Sequence, residues 1–332
     1  MSTKPAEHDF GDIPQIAVLM SAYNGAKYIR CQIDSILNQT VGPNLHLFIR
    51  DDGSTDDTEA IIASTGEVGR RITILKGSNV GAKNSFLKLL EFAKTLPGTY
   101  GYFSFSDQDD VWDPDKLEVA VKQLQSLPNQ EPALYGAASF HVDSDLRPLQ
   151  KREKRKVKPI TLYNTLIQCI VPGHTYVFNR QLLDVLEVPL PVDRIYYHDS
   201  FLLSVALICG QLVYDPWPHA SYRQHGANQM GVEKNRLKWI STRWRRVVNG
   251  DSRQYATQLA YLYSAYGRKM PPAVRKEAER FFSSQRNWLK RLGYVLTTKL
   301  HRQKAFETLA FKLLYLWGGY NLPESPLKVE AS

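Results

Sequence analysis

Cysteine is scarce in this chain. Its 332 residues include three, Cys31, Cys169 and Cys209, far apart and in no CxxC or zinc-finger spacing. That excludes a disulfide framework and a thiolate metal centre, and it suits a reducing compartment. Long hydrophobic runs are also missing, and no window approaches the ~18 apolar residues of a membrane-spanning helix. Residues 1–13 carry no apolar segment of the signal-peptide kind and are expected to form a flexible N-terminus. Disorder is excluded by 43% hydrophobic and 23% charged residues. The length suits one large α/β domain with an appendage, or two modest domains.

Charge is present but unevenly spread. Residues 233–332 hold 20 Lys and Arg against 7 Asp and Glu, a balance of +13, whereas residues 1–232 balance at −4. A mildly acidic front part therefore precedes a strongly basic C-terminal region, which favours polyanionic partners.

The front part alternates strand and helix signals. Ile16–Met20, Leu45–Ile49, Ile72–Leu75 and Tyr102–Phe105 read as strands. Tyr28–Leu37, Ala60–Ala63, Gly81–Ala93 and Pro114–Leu124 read as helices, with Asp56 as an N-cap and Pro114 in a first turn. Four βα units in succession predict an α/β fold with a mostly parallel, doubly wound sheet. The basic run 151–158 reads as a solvated loop. Beyond it, Tyr176–Phe178 and Leu212–Tyr214 look like strands and Ser200–Cys209 like a buried helix.

In such sheets ligands sit at the carboxyl ends of the strands. Three polar clusters fall there: Ser21–Asn24, Asp51–Ser54 and Asp107–Asp110. Asp107 and Asp109, two residues apart after a buried strand, suit a hard cation together with substrate phosphate oxygens. Asp56 is expected to cap the next helix, which leaves Asp51 and Asp52 free for a ligand. A lone Asp-x-Asp is common by chance, but here hydrophobic residues precede it and Trp112 follows.

Taken together, the segments resemble family 2 glycosyltransferases of the GT-A fold. They are VLMSAYNGAKYIRCQIDSILNQT (18–40), IRDDGSTDDT (49–58), SNVGAKNSFLKLL (78–90), SDQDDVW (106–112), PGHTYVFNR (172–180), YYHDSFLL (196–203) and YRQHGANQMG (222–231). The SDQDDVW, HDSFLL and YRQHG trio resembles the bacterial rhamnosyltransferase-like branch that builds cell-surface polysaccharides. The resemblance implies a GT-A catalytic domain over 14–232 and a basic, Trp-rich helical region over 233–332. It implies a nucleotide site lined by Ser21, Tyr23 and Asn24, with Asp51 or Asp52 reading the base. Asn79, Gly81, Lys83 and Asn84 correspond to a second nucleotide loop, where many relatives carry Arg in place of Lys83. Asp107 and Asp109 would be the metal pair for Mg²⁺ or Mn²⁺, Asp109 the more direct ligand, with His225 reaching the metal or diphosphate. Asp199 takes the catalytic-base position, and His198 stands where many relatives have Glu. Trp112, His174 and His198 are candidates for the acceptor pocket, while Trp217 reads as structural.

The implied reaction is inverting transfer of a sugar from a nucleotide-diphosphate donor, dTDP-L-rhamnose by the branch resemblance, to a hydroxyl of a glycan or lipid-linked acceptor. A UDP-hexose donor, or a non-catalytic sugar-nucleotide-binding protein, is the alternative. Arg236–Val248 and Ala305–Trp317 read as basic amphipathic helices with Trp. They suit an anionic membrane surface, or packing onto the catalytic domain, or both. The expected location is cytoplasmic, peripheral on the inner face of the plasma membrane. Nucleic acid is not an expected partner, because no reading motif accompanies the basic charge.

Overall fold

A computed structural model describes residues 14–128, 130–226, 251–324 and 326–327. The N-terminal stretch 1–13, the boundary at 232/233, residues 227–231 of the last motif and the Arg236–Val248 segment with Trp239 and Trp244 lie outside the described residues.

The chain opens with β1 (Gln15–Ala22), α1 (Ile29–Leu37), β2 (Leu45–Asp51), α2 (Thr58–Ala63), β3 (Ile72–Lys76), α3 (Ala82–Ala93) and β4 (Tyr100–Ser106). Ile16 to Met20 are fully buried, as a run without alternation requires of a strand covered on both faces. β1 pairs in parallel with β2 and β4, and β2 with β3. Next come β5 (Val111–Trp112), α4 (Lys116–Gln125), β6 (Ala133–Val142), α5 (Leu162–Thr165), β7 (Val177–Asn179), α6 (Arg180–Asp184), α7 (His198–Cys209) and β8 (Gln211–Arg223).

The sheet order is β3-β2-β1-β4-β7-β6-β8-β5. Its first half is parallel, as expected. In the second half β7 is antiparallel to both β4 and β6, β8 is parallel to β6, and β5 is antiparallel to β8. The sheet is thus mixed beyond β4, because β5 and β7 are short return strands rather than βα crossovers.

Past the undescribed segment come α8 (Asp251–Tyr266), α9 (Pro272–Ser284), α10 (Trp288–Thr297) and α11 (Ala305–Leu316). They pack on the sheet and its helices: one apolar cluster includes Ala17 and Phe105 of the sheet, Phe201 of α7, and Leu262, Phe281 and Tyr315 of these helices. Polar contacts cross as well. Gln258 Oε1 accepts from Tyr196 N at 2.9 Å, and Gln303 Oε1 accepts from Lys158 N at 2.9 Å.

Candidate active site

Chain direction fixes where a ligand can enter. From β1 the chain winds outward through β2 to β3, then returns to the other side of β1 as β4. The carboxyl ends of β1 and β4 therefore flank the point where the winding reverses, the customary crevice of such sheets. Ala22 is level with Asp51, and Met20 with Ser106, so the three polar clusters meet at one edge.

Hydrogen bonds stitch these loops together. Gln108, between the two aspartates, accepts from Tyr23 N at 2.8 Å and donates to Tyr23 O at 2.9 Å. Asn24, at a φ of 47°, accepts from Thr55 N at 2.8 Å. Asp56 accepts from Thr58 N at 3.0 Å and from Ala26 N at 3.1 Å. It serves the start of α2 and also ties it to the loop after β1. Ser21 Oγ donates to Ser85 Oγ at 2.6 Å, which places the end of β1 against α3.

The acidic loop after β4 has an outer and an inner side. On the outer side Asp109 Oδ2 lies 2.7 Å from His225 Nε2, at the end of β8. On the inner side Asp110 accepts from Arg223 N at 3.1 Å through Oδ1, while its Oδ2 is buried without a hydrogen-bond partner. Single oxygen or nitrogen atoms of Asp107, Asp110 and His174 lie within 4.8 Å of one another. Burial, then the charges of Asp109 and Asp199, push the Asp107 carboxyl up to about 7, and Lys116 opposes them. Asp110 is raised as well, by burial and then by Asp107 and Asp109. A site that holds its own carboxylates this unfavourably gains from a cation. The carboxylate oxygens among these donors fit Mg²⁺ or Mn²⁺.

Asp199 stands in the first turn of α7. Its Oδ1 accepts from Ser200 N at 2.6 Å, and its Oδ2 accepts from Cys169 Sγ at 3.3 Å. Burial, then the Asp199 charge and this hydrogen bond, hold the Cys169 thiol protonated. Cys169 N donates to the hydroxyl oxygen of Tyr255 of α8 at 3.3 Å, so a C-terminal helix supports the segment beside Asp199. The turn 173–175 presses on the same place. A Cβ at Gly173 would lie 2.8 Å from Asp199 Cβ and 3.2 Å from His198 Nε2, so only glycine lets the turn approach this closely.

Several expected ligand contacts are otherwise engaged. Asp52 is 1% exposed; it pairs with Arg50 and accepts from Val80 N at 3.0 Å and Gly81 N at 2.8 Å. It holds the second loop in place and is not free for a ligand. Asp51 accepts from Ser54 N at 3.1 Å and from Ser54 Oγ at 2.5 Å. Lys83 donates to the carbonyls of Val192 at 2.8 Å and Ile195 at 3.1 Å, so its ammonium anchors the approach to α7. In the same loop Asn79 Oδ1 accepts from Gly81 N at 3.1 Å, and Asn84 Oδ1 is buried without a partner.

The acceptor-pocket expectations fare differently. Trp112 is buried, with Lys116 Nζ 3.1 Å from its ring centroid, and cannot line an open pocket. His174 is buried too, stacked on Tyr222 at 4.7 Å, and burial followed by the Lys116 charge lowers its pKa to about 3. His198 stacks on Phe86 at 4.1 Å, beside Asp199. Trp217, expected to be structural, is exposed on β8. Residues to which the sequence reading gave no role at the site include Gln108, Cys169, Arg223 and Lys116, which is buried and donates to His174 O at 2.9 Å.

Known proteins agree with this geometry. Residues 17–184 match the family model described as Glycosyl transferase family 2. A glycosyltransferase of Rickettsia prowazekii is 28% identical over 236 residues, 70% of this chain and 70% of its own. The dTDP-rhamnosyl transferase RfbG of Shigella flexneri is 29% identical over 248 residues, 68% of this chain and 81% of its own. Two solved GT-A structures share the fold. S. aureus TarS with UDP-GlcNAc has a TM-score of 0.54 at 14% identity, covering 91% of this chain and 90% of that one. A mannosyltransferase of Pyrobaculum calidifontis with GDP-Man and Mn²⁺ has a TM-score of 0.52 at 18% identity, covering 96% and 79%. With the family match spanning half its length and the acidic loop set at the switch point of a GT-A sheet, this chain belongs to glycosyl transferase family 2 and is a glycosyltransferase.

Proposed function

We propose that the enzyme transfers L-rhamnose from dTDP-L-rhamnose, with inversion, to a hydroxyl of a lipid-linked or growing cell-surface glycan. The observation that carries the chemistry is the placement of Asp199. It stands in the first turn of α7, near enough to the acidic loop for its charge to act on Asp107. The 29% identity to the Shigella flexneri dTDP-rhamnosyl transferase favours the rhamnose donor.

Asp199 would accept the proton of the acceptor hydroxyl as that oxygen bonds to the anomeric carbon and the bond to the diphosphate breaks. One displacement inverts the centre and needs one base, unlike the carboxylate pair of a retaining hydrolase. Asp107, Asp109 and His225 would hold Mg²⁺ or Mn²⁺, which when bound neutralises charge on the diphosphate. Ser21, Tyr23 and Asn24 would line the nucleoside, and Asp51, rather than the buried Asp52, would meet the base. Asn79, Gly81 and Asn84 would edge the same pocket, with the unpartnered Asn84 oxygen available to a donor group. We place the enzyme on the inner face of the plasma membrane, where a lipid-linked acceptor would be presented.

Release of nucleotide diphosphate from a panel of dTDP-, UDP- and GDP-sugars, with Mg²⁺ or Mn²⁺, tests the reading. Release from dTDP-rhamnose alone, lost in Asp109→Ala and Asp199→Asn, is expected. Release from a UDP-hexose instead would overturn the rhamnose donor and leave the role of Asp199 standing.

A further inference from the structure

The outward faces of α10 and α11 are built unlike those of ordinary surface helices. Trp317 is 85% exposed, Leu296 74% and Leu289 60%, and Trp288, Leu309 and Leu313 are each more than half exposed. Leu309, Leu313 and Trp317 recur every four residues, so they form one stripe along α11. The opposite stripe, Phe311 and Tyr315, is buried in the core. A surface helix normally turns charge outward. The charged residues of α11 are Glu307, which is buried, and Lys312, which is half-buried.

The two helices adjoin. Tyr294 of α10 and Tyr315 of α11 have ring centroids 4.7 Å apart. A Cβ at Gly318, just past α11, would lie 3.3 Å from Arg291 in the first turns of α10, so Trp317 and Trp288 belong to the same end of the pair. Exposed cations flank the apolar residues: Lys290 follows Leu289, Lys299 follows the end of α10, and Lys304 precedes α11.

We infer that this α10–α11 face is a docking surface for an anionic lipid bilayer, seated in the interface with its Leu and Trp side chains among the acyl chains and its lysines at the headgroups. Apolar residues with Trp, edged by Lys and Arg, are the composition of interfacial helices. At 1.5 Å per residue α11 is about 18 Å long, too short to span a bilayer and long enough to lie in one. No helix among the described residues is long and apolar enough to cross a membrane. A second copy of the chain fits less well, because a two-fold contact through this face would set the same lysines against each other in a region that carries a balance of +13. The inference deepens the membrane location proposed above and is independent of the donor.

Co-sedimentation of the full chain with phosphatidylcholine vesicles, with and without phosphatidylglycerol, tests it. Binding is expected to be at least about tenfold tighter to the anionic vesicles and to weaken with salt. Trp317 and Trp288 fluorescence should be quenched by brominated acyl chains, and Trp317→Phe should remove part of that quenching. The Leu309→Glu/Leu313→Glu variant, altered at exposed positions, should lose binding at least tenfold while releasing nucleotide from soluble donor at the wild-type rate. Unchanged binding by this variant, or absence of binding by the wild type, overturns the inference. So does a change in oligomeric mass in place of vesicle binding. Loss of donor turnover in the wild type would count against the transferase reading and leave the vesicle result standing.

Discussion

His225 Nε2 lies 2.7 Å from Asp109 Oδ2. This contact joins the end of β8 to the loop after β4, and it makes the YRQHG segment part of the acidic site although 116 residues separate the two. Arg223 reinforces it by donating from its backbone to Asp110 at 3.1 Å and from its side chain to Asp109 O at 2.8 Å. Replacing Asp109 by Ala should therefore reduce nucleotide release by about 10²-fold or more, the size of loss seen when one charge-stabilising group is removed. His225→Ala should raise the Mg²⁺ or Mn²⁺ concentration needed for half-maximal rate. Metal titrations of the three proteins check both outcomes.

Asp199 is expected to act on kcat. Asp199→Asn keeps the shape of the residue and the hydrogen bond from Ser200 N but cannot accept the acceptor proton. A loss of about 10²–10⁴ in kcat is expected, with donor affinity nearly unchanged. Cys169→Ser should preserve most activity, since a hydroxyl can donate to Asp199 as the thiol does. Cys169→Val should lower kcat, because the carboxylate loses a donor that orients it. Steady-state kinetics with calorimetric titration of the donor separate the two effects.

Gly173→Ala tests the close approach beside Asp199. The added methyl would stand 2.8 Å from Asp199 Cβ, a distance at which one partner must shift. A cost of about 1–3 kcal/mol in stability is expected, as for overpacking generally, together with a fall in kcat from the displaced base. Urea denaturation and initial rates on the same preparation measure both.

His219 gives the fold a pH dependence of known sign. Burial opposes its charge, but the hydrogen bond to Asp215 and the charges of Asp215 and Asp115 outweigh that and raise its pKa. Nε2 stands 3.2 Å from Asp215 and Nδ1 3.5 Å from Asp115. A histidine raised in the folded state stabilises fully below its unfolded pKa of about 6.5. That contribution is lost as pH rises through the higher folded value. The stability difference between wild type and His219→Gln should accordingly shrink from pH 6 toward alkaline pH, as thermal melts in a buffer series would show.

The first four strands and the three polar clusters were legible because each is a local pattern, a buried run ending in polar residues. What escaped was set by distant partners. β6 carries mostly Ala, Gly and aromatic residues, with a single β-branched residue at Val142, so neither period stands out, yet it is buried along nearly its whole length. Lys83 looked like part of a nucleotide loop because its partners, the carbonyls of Val192 and Ile195, lie more than a hundred residues further on. Trp112 looked like an acceptor platform because β5, which buries it against β8, is two residues long. Lys116 alone left a trace: it falls on the stripe of Leu117, Ala120, Val121 and Leu124 that α4 buries.

The neighbouring aspartates of β2 and the turn after it should separate cleanly by experiment. Asp52 is buried against Arg50 and the N–H groups of Val80 and Gly81, so Asp52→Ala leaves a buried guanidinium without its carboxylate and the Val80 N–H unsatisfied. A loss of about 3–5 kcal/mol is expected, enough to unfold a marginal domain, whatever the donor concentration. Among the described residues the Asp51 carboxylate is hydrogen-bonded to Ser54, within its own turn. Asp51→Asn retains an oxygen for Ser54 and should leave the melting temperature within a few degrees of wild type. If Asp51 meets the base, this variant should raise KM for the nucleotide donor by about tenfold, the worth of one charged hydrogen bond. An unchanged KM would move base recognition elsewhere in the loop. A stable Asp52→Ala protein with a raised KM would return that role to Asp52 and contradict the placement of its carboxylate as structural.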